Sequence, residues 1–234
     1  MQLFLIADEW PQMEPLIAYL TEQDHEVQTF KETDELPDLS TFEVGFMFIH
    51  KPIEPHVLKA LIAYPETGRR LIVLHHGIAS GKLKSPEWLD FVGIHIEPKD
   101  APVNPWTLMV DLTHTLVNLN PDHYITSHNI TYPETCDYTS SDAPSYPVTR
   151  PAVTFHGTEF FKNQHFADGR DKTVLFGTRA EVPDTGEVIM QDRGGWLKPK
   201  GNGWLFYFQP GHLPADFENP IYRQIIHNCL TWTP

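Results

Sequence analysis

Short apolar runs alternate with helix-period segments through the first ninety residues, and few folds accept that order. Gln2 to Ala7 is a continuous apolar run of the kind a parallel strand buried on both faces requires. Pro15 to Thr21 places Leu16, Ile17, Tyr19 and Leu20 on one helix face, with Pro15 tolerated in the first turn. Glu26 to Phe30 and Val44 to Ile49 are further strands, the second ending at His50. Glu54 to Tyr64 repeats Val57, Leu58, Leu61 and Ile62 at helical spacing. Arg70 to Leu74 is a fourth strand, running straight into His75-His76-Gly77, and Pro86 to Val92 is a short helix. Strand and helix in turn, at this spacing, imply βαβ units around a parallel sheet. The expected architecture is α/β: a flavodoxin-like, doubly wound, mostly parallel sheet with helices on both faces.

Residues 97 to 150 break the alternation. Pro98, Pro102, Pro105, Pro121, Pro133, Pro144 and Pro147 fall there, with the polar run Asp137 to Asp142. The segment reads as a long loop-rich insertion containing one helix, Trp106 to Leu119, and loops of this length commonly serve as lids or binding loops. Strands return at Ala152 to His156, Val174 to Thr178, Glu187 to Gln191 and Trp204 to Gln209. Gly201-Asn202-Gly203 supplies a turn that closes a hairpin between the last two. An amphipathic helix spans Pro220 to Trp232. No internal repeat divides the chain, so residues 1–234 are expected to form a single domain.

Seventeen Lys and Arg against thirty-one Asp and Glu give a net charge of −14. A phosphate backbone selects basic patches, so nucleic acid is not an expected partner, nor is an anionic membrane surface. With 41% apolar and 21% charged residues the chain is neither disordered nor a disulfide scaffold. The apolar run from Leu3 to Ala7 is too short for a signal peptide, and no stretch reaches the roughly 18–20 apolar residues of a spanning helix. A cytoplasmic location with Cys136 and Cys229 reduced is therefore expected.

In an open parallel sheet, ligands bind beyond the carboxyl ends of the strands, so polar residues at strand ends are the candidates. These are Asp8, Glu9 and Trp10 after the first strand, His50 after the third, and His75 and His76 after the fourth. His156 and Glu159 follow the Ala152 strand, and Gly211-His212 follows the strand from Trp204. Imidazole titrates near neutral pH and ligates transition metals, so such a cluster can move protons or hold zinc. A strand entering His-His-Gly resembles a nucleophile elbow with imidazole in the nucleophile's place. Pro210-Gly211 forces a turn that projects His212 over the sheet edge. Glu159 can orient a histidine or act as a base. The plainer readings are strand-end histidines bonded to backbone, a turn histidine and a solvated carboxylate. Trp10, Trp106 and Trp196 could stack on a sugar ring or merely anchor loops. No glycine-rich phosphate loop follows the first strand, and no cysteine pair has metal spacing.

Leu74-His-His-Gly77, Trp88-Leu-Asp-Phe-Val-Gly93, Tyr146-Pro-Val-Thr149, Thr158-Glu159 and Gly203-Trp-Leu-Phe-Tyr-Phe-Gln-Pro-Gly-His212 occur in order, before a terminal helix ending at Trp232. Together they resemble the trehalose-utilisation (ThuA-like) family. That family tends to carry His where Tyr146 stands and Asp where Thr158 stands. The resemblance implies a fold similar to class I glutamine amidotransferases, with His75 or His76 in place of the nucleophilic cysteine, so glutamine hydrolysis is not expected. It places His212 where the amidotransferase histidine stands, and it implies a link to disaccharide metabolism.

The combined expectation is a protein acting on a carbohydrate or a derivative, by metal-assisted hydrolysis or isomerisation. His76, His212 and Glu159 are the expected catalytic groups, and Trp10, His50, His75, His156 and Tyr207 are expected to line the substrate pocket. Any metal would sit on His76 and His212, with zinc or another divalent transition ion suited to nitrogen ligands. The alternative is a non-catalytic protein that binds a sugar or a partner in the same pocket. The aromatic surface could also pair copies of the chain into a homo-oligomer.

Overall fold

The structure is a computed structural model that describes residues 1–142, 146–169 and 171–234, with Ser80 described by its backbone alone. Pro144 of the expected insertion lies outside the described residues. The first half alternates as expected: β1 (Gln2–Ala7), α1 (Trp10–Glu22), β2 (Glu26–Lys31), β3 (Val44–Phe48), α2 (Pro55–Ala63), β4 (Arg70–Leu74) and α3 (Pro86–Val92). Helix α1 starts well before Pro15, with Pro11 in its first turn, so Pro15 sits inside the helix. The second half holds β5 (Ile94–Ile96), β6 (Thr107–Asn118), α4 (Tyr124–Ser127), β7 (Glu134–Tyr138), β8 (Val148–Lys162) and β9 (Gln164–Phe166). It ends with β10 (Thr173–Glu181), β11 (Val188–Lys200), β12 (Gly203–Phe208), α5 (Pro214–Glu218) and α6 (Pro220–Thr231).

Among the described residues, ten strands form one sheet in the order β2-β1-β3-β4-β12-β11-β10-β6-β8-β7. The first five are mutually parallel in the flavodoxin-like order. From β11 onward every pairing is antiparallel, so the sheet is mixed. Parallel strands buried on both faces explain the unbroken apolar runs. Leu3, Leu5, Phe46, Phe48, Phe206 and Phe208 pack beneath α1 and α6, whereas Phe4, Ile6, Met47, Val73, Leu205 and Tyr207 pack beneath α2 and α3.

The expected helix from Trp106 to Leu119 is instead strand β6. Thr107, Val110, Thr113, Thr115 and Val117 are β-branched, and Leu112, His114 and Leu116 alternate inward. Paired with β8 on one side and β10 on the other, the segment buries its apolar face as a strand. Residues 97 to 150 are accordingly less a loop than the start of the antiparallel half. The prolines punctuate its strands, with Pro105 just before β6, Pro133 before β7 and Pro147 before β8. The hairpin at Gly201 forms as expected, with Gly201 at φ 55°, but it joins β12 to the far end of β11, Gly195 to Lys200. Of the residues expected to pair there, Glu187 to Gln191, Val188 to Gln191 form the near end of β11 and pair with β10 instead.

Candidate functional site

Two geometric features bring distant residues to one place. The first is the switch point between β1 and β3, where the strand order reverses and a crevice opens at the carboxyl ends. Asp8 closes its floor: one carboxylate oxygen accepts the His50 N–H and the other the Lys51 N–H, both at 2.8 Å. The second is a bend in the β6–β8 ladder. Its register shifts between Met109 and His114, beside Asp111 at φ 53° and Gly157 at φ 62°. Bulges of this kind redirect a strand. Phe155, before the bend, packs in the core under α1 and α6, while Phe161, beyond it, packs in the core under α2 and α3. The ladder thus crosses the strand ends of the parallel half and delivers Glu159 to them.

There Glu159 meets three histidines. One ligand atom from each of His75, His76, Glu159 and His212 lies within 4.8 Å of all the others. His75 Nε2 is 3.3 Å from Glu159 Oε2, His212 Nδ1 is 3.6 Å from it, and His76 Nδ1 is 4.0 Å from it. His75 and His76 are buried, and Glu159 and His212 are partly exposed, so the group opens to solvent on one side.

Each member is held from behind. His75 sits at φ 34°, a conformation unusual for a side chain larger than glycine, at the tight turn leaving β4. Its Nδ1 is 2.5 Å from the Gln209 carbonyl oxygen, which can only accept, so Nδ1 carries the proton. The Tyr207 hydroxyl donates to the His75 carbonyl at 3.1 Å, and the Phe161 ring stacks on the imidazole with centroids 4.5 Å apart. His76 packs against Phe48 and His50. The loop bearing His212 is tied down by Asp216, whose Oδ2 accepts from the N–H groups of Gly211, His212 and Leu213. The same oxygen accepts from the Thr158 hydroxyl at 3.0 Å, which links β8 to this loop one residue before Glu159.

The electrostatics follow from burial. Burial pushes the His76 imidazole strongly toward its neutral form, reinforced by His75 and His50. His212 is also held below its ordinary value, first by burial and then by His75, with Glu159 opposing. Burial would raise the Glu159 carboxyl, but the His75 hydrogen bond and the neighbouring imidazoles of His212, His75 and His76 outweigh it, and the group stays below the usual carboxylate range.

Of the expected residues, His75, His76, His212 and Glu159 come together. His50 flanks them, its ring 4.6 Å from that of His76. Trp10 starts α1 and packs against the core beneath that helix. Two expected pocket residues stand apart. His156 is exposed on β8 before the bend and contacts Thr113. Tyr207 is fully buried, so it supports His75 and touches no ligand. Trp106 and Trp196 are buried in the core beneath α2 and α3, and neither offers a face to a sugar. Glu9 is among the strand-end candidates but outside the expected site set, and Gln209 is expected only as the last residue of the strand from Trp204.

A comparison with curated proteins finds no match. Among solved structures, a putative ThuA-like protein from Bacteroides uniformis matches with a TM-score of 0.64 at 14% identity, over 98% of this chain and 89% of that one. The carbohydrate deacetylase Agd3 matches with a TM-score of 0.59 at 10% identity, over 98% of this chain but 32% of that one. A putative GMP synthase protein from Thermoplasma acidophilum matches with a TM-score of 0.53 at 9% identity, over 99% of this chain and 94% of that one. At these identities the likeness is one of fold. The family model described as trehalose utilisation matches residues 7–233, nearly the whole chain, and the chain therefore belongs to the ThuA family.

Proposed function

We propose that the protein acts on a sugar or sugar derivative at the His75–His76–Glu159–His212 cluster, with a divalent transition ion such as zinc held there. The carbohydrate part of this reading rests on the trehalose-utilisation family. The metal part rests on one observation, the fixed tautomer of His75. With Nδ1–H committed to the Gln209 carbonyl, Nε2 is the nitrogen turned to the Glu159 carboxylate 3.3 Å away, an acceptor unless it takes a second proton. Two acceptors held face to face repel unless a cation or a shared proton lies between them. Backbone carbonyls commonly orient metal-ligating histidines in this way. The spacing suits a small ion as well: ligand atoms about 2.1 Å from a tetrahedral centre lie about 3.4 Å from one another. Three nitrogens and one oxygen favour zinc or a similar ion over magnesium.

Bound there, such an ion would polarise a substrate carbonyl or lower the pKa of a water. The chain's own groups do the rest. His212, at the open side and held toward its neutral form by burial, would give its Nδ1 lone pair to such an ion. Glu159 balances the charge of the cluster, and its second carboxylate oxygen can accept a proton from a substrate hydroxyl or a water and return it. His76 completes the inner wall.

Elemental analysis of protein purified without chelator or affinity tag tests the reading. The expected result is near-stoichiometric zinc, manganese or nickel in the wild type, lost in His76→Ala and in His212→Ala. A wild type that stays metal-free even after soaking in these ions would overturn the metal-assisted reading.

A further inference from the structure

His76, one of the two buried histidines of the cluster, has a second carboxylate behind it. Glu9 stands between β1 and α1, at the N-terminal end of a thirteen-residue helix whose dipole favours a negative charge. Its Oε2 lies 3.3 Å from His76 Nε2, and its Oε1 lies 3.5 Å from His50 Nδ1. Among the described residues, Glu9 Oε2 and both ring nitrogens of His76 are buried and have no aligned hydrogen-bond partner. Glu9 Oε2 and His76 Nε2 are therefore complementary orphans, one an acceptor and the other able to donate, a short ring rotation from a hydrogen bond. Asp8 reinforces the arrangement by clamping the backbone of His50 and Lys51, which holds the β3 exit against the β1 exit.

We propose that Glu9 is a positioning residue of the site: it takes the Nε2–H of His76, which leaves the Nδ1 lone pair of His76 facing Glu159 and the cluster. The inference rests on the reading of the cluster as a cation site, and it gives that site a symmetrical construction. His75 is oriented through Nδ1 by a backbone carbonyl and offers Nε2. His76 is oriented through Nε2 by a carboxylate and offers Nδ1. Here the two adjacent histidines leaving β4 face the common centre through opposite nitrogens, and each has its own partner behind it. Gln209 and Glu9 are those partners, contributed by β12 and β1 from the two sides of the sheet between which β3 and β4 lie. A carboxylate orients a ring more strongly than a carbonyl does, because the hydrogen bond it accepts is charge-assisted.

The test has two arms on the full-length protein. Nitrogen-15 NMR of the imidazoles, in metal-free protein, should find His76 protonated at Nε2 in the wild type. Glu9→Ala should lose that preference, and Glu9→Gln should keep it, because the amide oxygen can still accept. An Nδ1-protonated His76 in the wild type, or a tautomer unmoved by Glu9→Ala, would overturn the proposal. In the second arm, cobalt(II) titration followed by its visible absorption should give an affinity weakened on the order of 10- to 100-fold in Glu9→Ala, with partial recovery in Glu9→Gln. An unchanged affinity in Glu9→Ala would equally overturn it. A wild type that binds no cobalt defeats the cation reading alone, and the tautomer arm still decides the role of Glu9. Thermal melting of each variant separates misfolding from a change at the site.

Discussion

At the scale of single residues, the molecule spends several buried histidines in different ways, and the difference lies in what stands behind each ring. His75 has a carbonyl behind it, and the loop of His212 has the Asp216 carboxylate. His114, on β6, has neither among the described residues: both ring nitrogens are buried without partners there, and the ring stacks on Phe155 at 5.6 Å. Burial, with a smaller contribution from His75, pushes its pKa down to about 3. An unfolded chain takes up that proton near pH 6.5, so the folded state loses stability progressively as pH falls from about 6.5 to about 3, and no further below that. His114→Phe removes the titrating group while keeping an aromatic ring against Phe155 and Phe160. Urea unfolding across that pH window should show a shallower decline for the variant, and parallel declines would refute the assignment. The strand-end rule found His75, His76, His212 and Glu159 because chemistry at the carboxyl edge needs polar residues where apolar strands stop. It did not separate them from His156, whose distance from the site depends on the bend at Gly157. A lone glycine in a strand gives only a faint signal of such a bend. Glu9 was visible as a strand-end carboxylate, but its partner His76 lies 67 positions along the chain, a pairing no local pattern carries.

At the scale of elements, the turn leaving β4 is the most constrained piece of the structure. His75 adopts a positive φ, and Gly77 follows where there is no room for a side chain: a Cβ there would lie 2.0 Å from Val73 Cγ1. Trp88 of α3 closes the turn by donating to the Gly77 carbonyl at 2.6 Å. Gly77→Ala should therefore cost roughly 1–3 kcal/mol by overpacking. It should also lower metal content, because the turn that must give way carries both histidines. A variant as stable as the wild type in chemical denaturation would contradict this. The parallel elements were legible because a strand buried on both faces is apolar throughout and a helix against a sheet shows its period. The antiparallel half was not, because its strands are long, bent and half polar. Thr107 to Asn118 has as many apolar residues as a helix needs, and only the pairings with β8 and β10 decide that it is extended. Where prolines suggested loops, they mark strand beginnings.

At the scale of the whole molecule, the site is a junction. It draws Glu9 from β1, His75 and His76 from β4, Glu159 from beyond the bend in β8 and His212 from beyond β12. A ligand bound at such a junction ties together both halves of the sheet and is linked to global unfolding. Zinc at about 100 times its Kd should stabilise the folded state by about 2.7 kcal/mol. At about 2–4 °C per kcal/mol for a chain of this size, the melting temperature should rise by roughly 5–10 °C. Differential scanning calorimetry with and without zinc measures this, and the shift should vanish in His212→Ala. An equal shift in that variant would place the metal elsewhere.

The position of β12 has a consequence for how the protein is made. This strand comes late in the sequence, yet it lies in the middle of the sheet, between β4 and β11. When the ribosome has released β4, the first four parallel strands are complete but one flank of β4 stays bare, and the strand that covers it is still unsynthesised. At elongation rates of about 5–20 residues per second, that flank waits on the order of ten seconds. During that interval the nascent chain presents an unpaired apolar edge of the kind that recruits chaperones or sticks to other chains. The histidine pair at its tip cannot meet His212 until the residues beyond β12 have emerged.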